Sequence, residues 1–203
     1  MITVPLTFLR PTKMMRELFL LLSLQESQHL SQHELARRIG VSSAMANNYM
    51  KALTDRGVVT ASGRTNRSMK YEVTALGRER LDVLMSGYSK EIARMYSIAK
   101  QEVERRLIQL HGQGLKRVVL FGAAETGELV YSAAKSTSMK IVGLVDNDVT
   151  KHRKLFGEIS VSSPDTIESF HPDGVLIASS GNAEEILKQL NPLSQKGVAV
   201  VTL

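Results

Sequence analysis

TALGRERLDVLMSGYSKEIARMYSIAKQEVERRLIQLHG, residues 74–112, carries one sustained helical period. Apolar side chains recur at Leu81, Leu84, Tyr88, Ile92, Met95, Ala99, Val103, Leu107 and Leu110, in steps of three and four. That spacing lines one face of a helix. The other face carries Arg78, Glu79, Arg80, Lys90, Glu91, Lys100, Glu102, Glu104, Arg105 and Arg106. A stripe of this length exceeds what one small domain needs. It reads either as a spine that joins two units and pairs with its copy in a second chain, or as a helix folded back over its own neighbours. Gly87 is the point where it would kink.

Composition bounds what lies on either side. A chain of 203 residues suits one large domain or two small ones, and a separate spine favours two. With 43% hydrophobic residues it can build true cores, which argues against wholesale disorder. The absence of Cys removes disulfides, thiolate catalysis and Cys-based zinc sites together. No signal-peptide pattern is present, and the longest apolar stretch, Leu18 to Leu24, is broken by Ser23 and far too short to span a bilayer. The expected location is the cytoplasm. The net charge of +6 is segregated: residues 1–113 hold 17 Lys and Arg against 10 Asp and Glu, and residues 114–203 hold 9 against 10. All the positive excess precedes the second unit, which suggests a polyanion partner for the first.

Upstream of the spine, Thr12 begins a helix marked by Met15, Leu18, Phe19 and Leu22 that loses its pattern near Glu26. After a polar turn, His33-Glu-Leu-Ala-Arg-Arg-Ile-Gly40 reads as a short helix ended by glycine. Ser42 is a natural N-cap for a helix from Ser43 to Arg56. Short helix, turn and longer helix make a helix-turn-helix. Leu35, Ala36, Ile39, Val41, Ala46, Met50 and Leu53 are spaced to close its core. Ser43, Ala44, Met45, Asn47, Asn48 and Lys51 then face outward. Small and amide side chains let a helix lie close in a major groove and bond to base edges. Val58 to Ser62 and Met69 to Thr74 read as two strands joined by a hairpin tip that carries Arg64 and Arg67, with Lys70 just beyond. This tip is where a wing would meet phosphate or the minor groove. His29 and His33 do not share a helix face and the other histidines lack partners, so no metal site is expected.

Glu34-Leu-Ala-Arg-Arg-Ile-Gly-Val-Ser, Leu53-Thr-Asp-Arg-Gly-Val-Val and Tyr71-Glu-Val-Thr-Ala-Leu-Gly-Arg resemble the MarR-type winged helix-turn-helix over about residues 12–80. The resemblance implies a module that binds double-stranded DNA, usually as a homodimer.

From Lys116 the pattern becomes that of an alternating α/β domain. Arg117-Val-Val-Leu-Phe121 is a continuous apolar run, as in a buried parallel strand. Gly122-Ala-Ala-Glu-Thr-Gly127 follows and opens a helix from Glu128 to Ser136. Further strands are expected at Lys140–Val145, Ile159–Val161, Gly174–Ala178 and Gly197–Leu203. Between them come a brief helix after the N-cap Ser163 and Pro164 and one capped by Asn182 that runs to Leu190. The order is β-α-β-β-α-β-α-β. Gly122 and Gly127 hold the first and last positions of G-x-G-x-x-G, while Ala124 stands at the middle position that normally lets the backbone approach a pyrophosphate. Asp146 ends the second strand, where an acid would bind a ribose hydroxyl. The same residues have a purely structural reading, a tight strand-to-helix turn and a capping acid. Glu125 weighs against an anionic ligand unless it points away.

Leu120-Phe-Gly-Ala-Ala-Glu-Thr-Gly-Glu-Leu129, Ile141-Val-Gly-Leu-Val-Asp-Asn-Asp148 and Gly157-Glu-Ile-Ser-Val resemble the nucleotide-binding domain that precedes membrane-linked nucleoside-diphosphate-sugar epimerases, and the domain of Rex-type redox repressors. The resemblance implies a nucleotide, NAD(H) or nucleotide-sugar ligand held by Gly122, Ala124, Glu125, Thr126, Gly127 and Asp146. Rex-type proteins join a winged helix to such a domain and release DNA when NADH binds. This chain differs in Ala124, in its long spine and in ending on a strand.

Tyr131-Ser-Ala-Ala-Lys135 fits the Tyr-x-x-x-Lys pair of short-chain dehydrogenases, where lysine lowers the tyrosine pKa, but it falls in the first helix after the glycine turn. No other catalytic constellation is present, and the chain is not expected to be an enzyme. The expected architecture is α/β and two-domain. A winged helix-turn-helix occupies residues 1–75, a linker and dimerisation helix 76–113, and a small parallel Rossmann-like sheet 114–203. The expected function is a DNA-binding transcriptional regulator with a nucleotide-sensing domain. The alternative is a small nucleotide-sugar enzyme, or an accessory protein, of surface-polysaccharide metabolism.

Overall fold

Side-chain oxygens placed just before apolar-periodic runs set the first three helices. The computed structural model describes residues 11–27, 29–63, 69–179 and 181–203. Thr12 accepts a hydrogen bond from the Met15 N–H and starts α1, Lys13–Glu26. Ser31 and Glu34 form a reciprocal capping box at the start of α2, Gln32–Ile39. Gly40 ends α2 in the left-handed region, at φ 67°. Ser42 caps α3, Ser43–Asp55. Strands β1, Val59–Ser62, and β2, Lys70–Val73, pair antiparallel with Val59 opposite Val73. Helix α4 then runs from Ala75 to Gly112 and is continuous through Gly87. Arg64 and Arg67 lie outside the described residues.

The chain divides into two compact units, Met1–Ala93 and Arg94–Leu203, with the division inside α4. In the first unit Leu18, Leu21, Leu24, Leu35, Ile39, Met50, Leu53, Val59, Tyr71, Leu81 and Leu84 form one buried core. Glu17, a charged residue, is buried beside it at 5% exposure. Arg80 donates to both of its carboxylate oxygens, at 2.8 and 3.3 Å, and Arg56 donates at 3.2 Å. Burial raises its pKa, but the Arg80 and Arg56 hydrogen bonds outweigh burial and hold it below the ordinary range. The pair of arginines ties α1 to the end of α3 and to α4.

The join between β2 and α4 is equally tight. The Thr74 hydroxyl donates to the Gly57 carbonyl at 2.7 Å and accepts from the Gly77 N–H at 3.0 Å, while the Thr74 N–H donates to the Val58 carbonyl. A Cβ on Gly77 would sit 2.1 Å from that Val58 oxygen. The glycine lets the first turn of α4 rest directly on the backbone that enters β1.

The long apolar stripe of α4 does three different things. Leu81 and Leu84 belong to the core of the first unit, and Leu107 and Leu110 to that of the second. Between them Ile92 and Met95 are 44% and 41% exposed, and Tyr96 and Ile98 are exposed as well. Val103 is half-buried and Leu107 fully buried. The free face therefore centres on Ile92 and Met95, and Leu107 is not part of it.

The second unit is a six-stranded sheet in the order β5-β6-β4-β3-β7-β8. Its strands are β3 (Arg117–Phe121), β4 (Lys140–Val145), β5 (Leu155–Phe156), β6 (Ile159–Ser162), β7 (Gly174–Ile177) and β8 (Ala199–Thr202). All neighbours are parallel except β5 and β6, which form a short antiparallel hairpin. Helix α5, Glu125–Ala134, and the end of α4 cover one face. Helix α6, Ala183–Gln195, and the 3-10 helix Pro164–Phe170 cover the other. As expected, Ser163 caps that 3-10 helix with proline in its first turn. Three details depart from the sequence pattern. Helix α5 begins at Glu125, so Gly127 lies inside its first turn. The two-residue β5 is additional. Helix α6 continues past Leu190 through Pro192, and the Asn182 side chain does not cap it.

Candidate functional site

Helix α3 presents a polar surface of small side chains. Ser43, Ala44, Met45, Asn47, Asn48 and Lys51 are exposed, while Ala46, Met50 and Leu53 are buried against α1, α2 and the sheet. The spacing of the buried three leaves the outward row no alternative face. Lys70 is exposed at the start of β2. Asn47 is tied from behind: Gln32, first in α2, donates its amide to Asn47 Oδ1 at 3.1 Å and to the Tyr71 hydroxyl at 3.4 Å. Gln32 and Tyr71 carry no sequence signal for such a role, because the contact is made only when α2, α3 and β2 are assembled.

In the second unit the parallel strands change direction of winding at β3. From β3 the chain passes to β4 and β6 on one side and to β7 and β8 on the other. Ligands of such sheets lie in the crevice beyond the strand ends at that reversal. In this sheet the reversal falls between β3 and β7, where the loop after β3, Gly122 to Ala124, meets the backbone after β7. Gly122 in the loop and Gly127 in the first turn of α5 are both demanded by backbone contacts. Gly122 has φ 117°, and a Cβ there would meet the Ala178 carbonyl oxygen at 2.9 Å. A Cβ on Gly127 would lie 2.1 Å from the Gly122 carbonyl oxygen, so α5 packs onto the turn itself. Ala124 and Glu125 are exposed and Thr126 is half-buried. Glu125 and Glu128 in the first turn complement the helix dipole.

Asp146 reaches this loop, but it is engaged by groups of its own chain. Its Oδ2 accepts from the Ala123 N–H at 2.7 Å and from Lys151 Nζ at 2.9 Å. Its Oδ1 accepts from the Asp148 N–H at 2.9 Å. Burial pushes its pKa up, yet the Ala123 and Asp148 hydrogen bonds and Lys151 together bring it below the usual carboxylate range. The carboxylate thus fixes the glycine turn and holds an ammonium beside it. The sequence carries no signal for Lys151 in this role, since its contact with Asp146 is made only through the turn after β4.

Tyr131 and Lys135 line a separate cleft of about 240 Å³ with Glu128, Ser132, Phe156 and Gly157. The Tyr131 hydroxyl accepts from the Glu158 N–H at 3.3 Å, and the Lys135 ammonium lies over the tyrosine ring, 4.8 Å from its centroid. The pair helps hold the β5–β6 hairpin against α5.

Residues 20–60 match a family of winged helix-turn-helix DNA-binding domains, and residues 114–199 match the family described as C2185-like, N-terminal. No curated protein matches the chain. Among solved structures, the UDP-D-quinovosamine 4-dehydrogenase from Vibrio fischeri is 20% identical over 44% of this chain and 78% of its own, with a TM-score of 0.39. YusO from Bacillus subtilis is 22% identical over 41% of this chain and 60% of its own, with a TM-score of 0.35. A MarR family protein of Mycobacterium tuberculosis, in complex with p-aminosalicylic acid, is 29% identical over 47% of this chain and 77% of its own, with a TM-score of 0.34. The first unit has a winged helix-turn-helix fold, with residues 20–60 matching that family, and the second is a Rossmann-like α/β domain. Among the described residues, no helix is long and apolar enough to cross a membrane.

Proposed function

We propose that the chain is a transcription regulator that binds duplex DNA as a homodimer through α3 and the β1–β2 wing. In this reading its second unit takes a nucleotide-type ligand at the sheet's reversal point. The observation that carries the DNA-binding part is the surface of α3. Ser43, Ala44, Asn47 and Asn48 stand in one exposed row behind a capped N-terminus, small and amide side chains that let a helix lie close in a major groove and bond to base edges. Bulky or acidic side chains there would hold the helix out of a groove. The segregated positive charge supports the same partner, and Lys51, Arg64, Arg67 and Lys70 are assigned to phosphate contacts. Replacing Arg64 and Arg67 by alanine should weaken binding to all duplexes alike. It should also flatten the slope of log K against log salt by about 0.9 per lost contact. A slope that stays the same removes the wing from the interface.

For the second unit, support comes from the reversal point, the short glycine turn and the Lys151 ammonium poised beside it. Gly122, Ala124, Glu125, Thr126 and Gly127 would border the ligand's phosphates, with backbone N–H groups of the helix start facing them. Asp146, with three donors of its own chain, is assigned to shaping the turn rather than to the ribose. Saturation of the whole protein with the right nucleotide, NAD(H) or nucleotide sugar should add about 2.7 kcal/mol at a hundred times Kd. Asp146→Ala should lower the melting temperature even without ligand. A thermal-shift screen in which every such compound leaves the melting curve in place would reduce this unit to a scaffold.

A further inference from the structure

We propose that Met45 is a thymine-reading residue, which closes on the 5-methyl group of an operator base in the major groove. This rests on α3 being the base-reading helix proposed above. Met45 is the third residue of α3, in the turn that Ser42 caps by accepting the Met45 N–H at 3.3 Å. The first residues of such a helix are the ones that reach base edges. From Ser43 to Lys51 the exposed side chains are small, amide or basic, apart from Met45. It is the one large apolar side chain among them and is 44% exposed, whereas Met50 and Leu53 go into the core. The row holds no arginine, the usual partner of guanine O6 and N7, and Lys51 lies in the second half of the helix. Asn48 is of the type that bonds adenine, through its oxygen and nitrogen together. Three residues apart, Met45 and Asn48 are neighbours on the helix surface, with Cβ atoms about 5–6 Å from one another. Thymine is the base that shows a methyl group in the major groove, and an apolar side chain is what recognises it. The two residues together therefore select A·T pairs, Asn48 by hydrogen bonds to adenine and Met45 by covering a thymine methyl. The unbranched thioether chain bends to follow that methyl, so its bulk does not hold the helix away from the groove.

The methyl can be removed without touching any hydrogen bond, by placing deoxyuridine where thymidine stood. The test starts from the half-site that the full-length wild type selects out of a randomised duplex pool. Each of its thymines is then replaced singly by uracil, and binding is measured with wild type, Met45→Gln and Met45→Leu. At one position uracil should weaken wild type by about 4-fold, the worth of one methyl group taken from water. Met45→Gln keeps the length and helix propensity of methionine, and residue 45 lies outside the core. That variant should bind the thymine and uracil duplexes equally at this position. Met45→Leu, apolar again, should still prefer thymine. If no uracil weakens wild type, or the selected half-site holds no thymine, Met45 reads no methyl while DNA binding stands. If Met45→Gln suffers the same loss as wild type, the methyl acts through the shape of the duplex and the assignment to Met45 is overturned. If wild type retains no duplex even at low salt, the DNA-binding reading falls and this inference falls with it.

Discussion

Gly77→Ala is expected to cost the first unit about 3 kcal/mol, the upper part of the range for forcing atoms into a closed packing site. For a unit of this size that corresponds to a drop in melting temperature of roughly 12–24 °C. The added methyl would lie 2.1 Å from the Val58 carbonyl oxygen and 2.7 Å from Val73 Cγ1. Neither neighbour can yield cheaply. The Val58 carbonyl accepts from the Thr74 N–H, and the Thr74 hydroxyl in turn caps the Gly77 N–H, so moving it strains the start of α4 as well. Ten residues along the same helix, Gly87→Ala has the opposite sign. A Cβ there meets nothing within 4 Å, and alanine gains up to about 1 kcal/mol over glycine in a helix interior. Melting curves of the two variants beside wild type check the pair. Equal effects would mean that helix propensity, not the approach to Val58, governs position 77.

The second large effect concerns assembly. Leu81, Met85, Tyr88, Ile92, Met95 and Ala99 follow one another in steps of 4, 3, 4, 3 and 4, the heptad spacing of a two-helix seam. Leu81 is used by its own core, but Ile92 and Met95 remain exposed within one chain. A second copy of α4 is the occupant that this repeat fits. Ile92→Asp with Met95→Asp should leave the fold of each chain intact, because neither side chain is buried in it, and should convert dimer to monomer of 22.4 kDa. Loss of the link between two half-sites should then lower affinity for a palindromic operator by about 100-fold or more. Sedimentation and operator titration of the same samples measure both. Wild type that sediments as monomer at tens of micromolar, or a double variant that remains dimeric, would refute the seam. Leu107→Asp is no substitute test, since that side chain is fully buried in the second unit and its loss would disrupt the sheet domain itself.

The parts of this molecule that were legible in the sequence are those written in short-range chemistry. Ser42 and Gly40 announce helix ends within a few residues, and the 3.6-residue period separates the buried from the outward side of α3. The strands β3, β4 and β7 are apolar runs that only a buried sheet explains. What stayed hidden depends on distant partners. Glu17 reads as a solvent residue until Arg56 and Arg80, 39 and 63 residues away, are folded against it. Helix α5 seemed to start at Glu128 because Gly127 reads as loop, whereas the close approach to the Gly122 carbonyl requires glycine inside the helix. The free stretch of α4 was visible as part of a stripe, but its limits depend on where each core ends. Spacing puts Asp146 at its strand end, but its three donors come from the folded turn.

The three-residue turn after β3 bears on how this chain can drift. Gly122 and Gly127 are fixed by contacts with Ala178 and with one another, so any descendant that keeps the fold keeps both, whether or not it retains a ligand. Their presence in a relative is therefore silent about sensing. Ala124 is different: it is exposed, and its backbone is extended at φ −136° and ψ −170°, a conformation open to every residue but proline. As the N-cap of α5, the position favours Ser, Thr, Asp, Asn or Gly on folding grounds alone. Restriction to alanine or glycine at 124 across a lineage, where folding would equally accept a polar cap, would be the mark of something that must approach the turn, and a preference for polar caps there the mark of a domain that has lost, or never had, a guest.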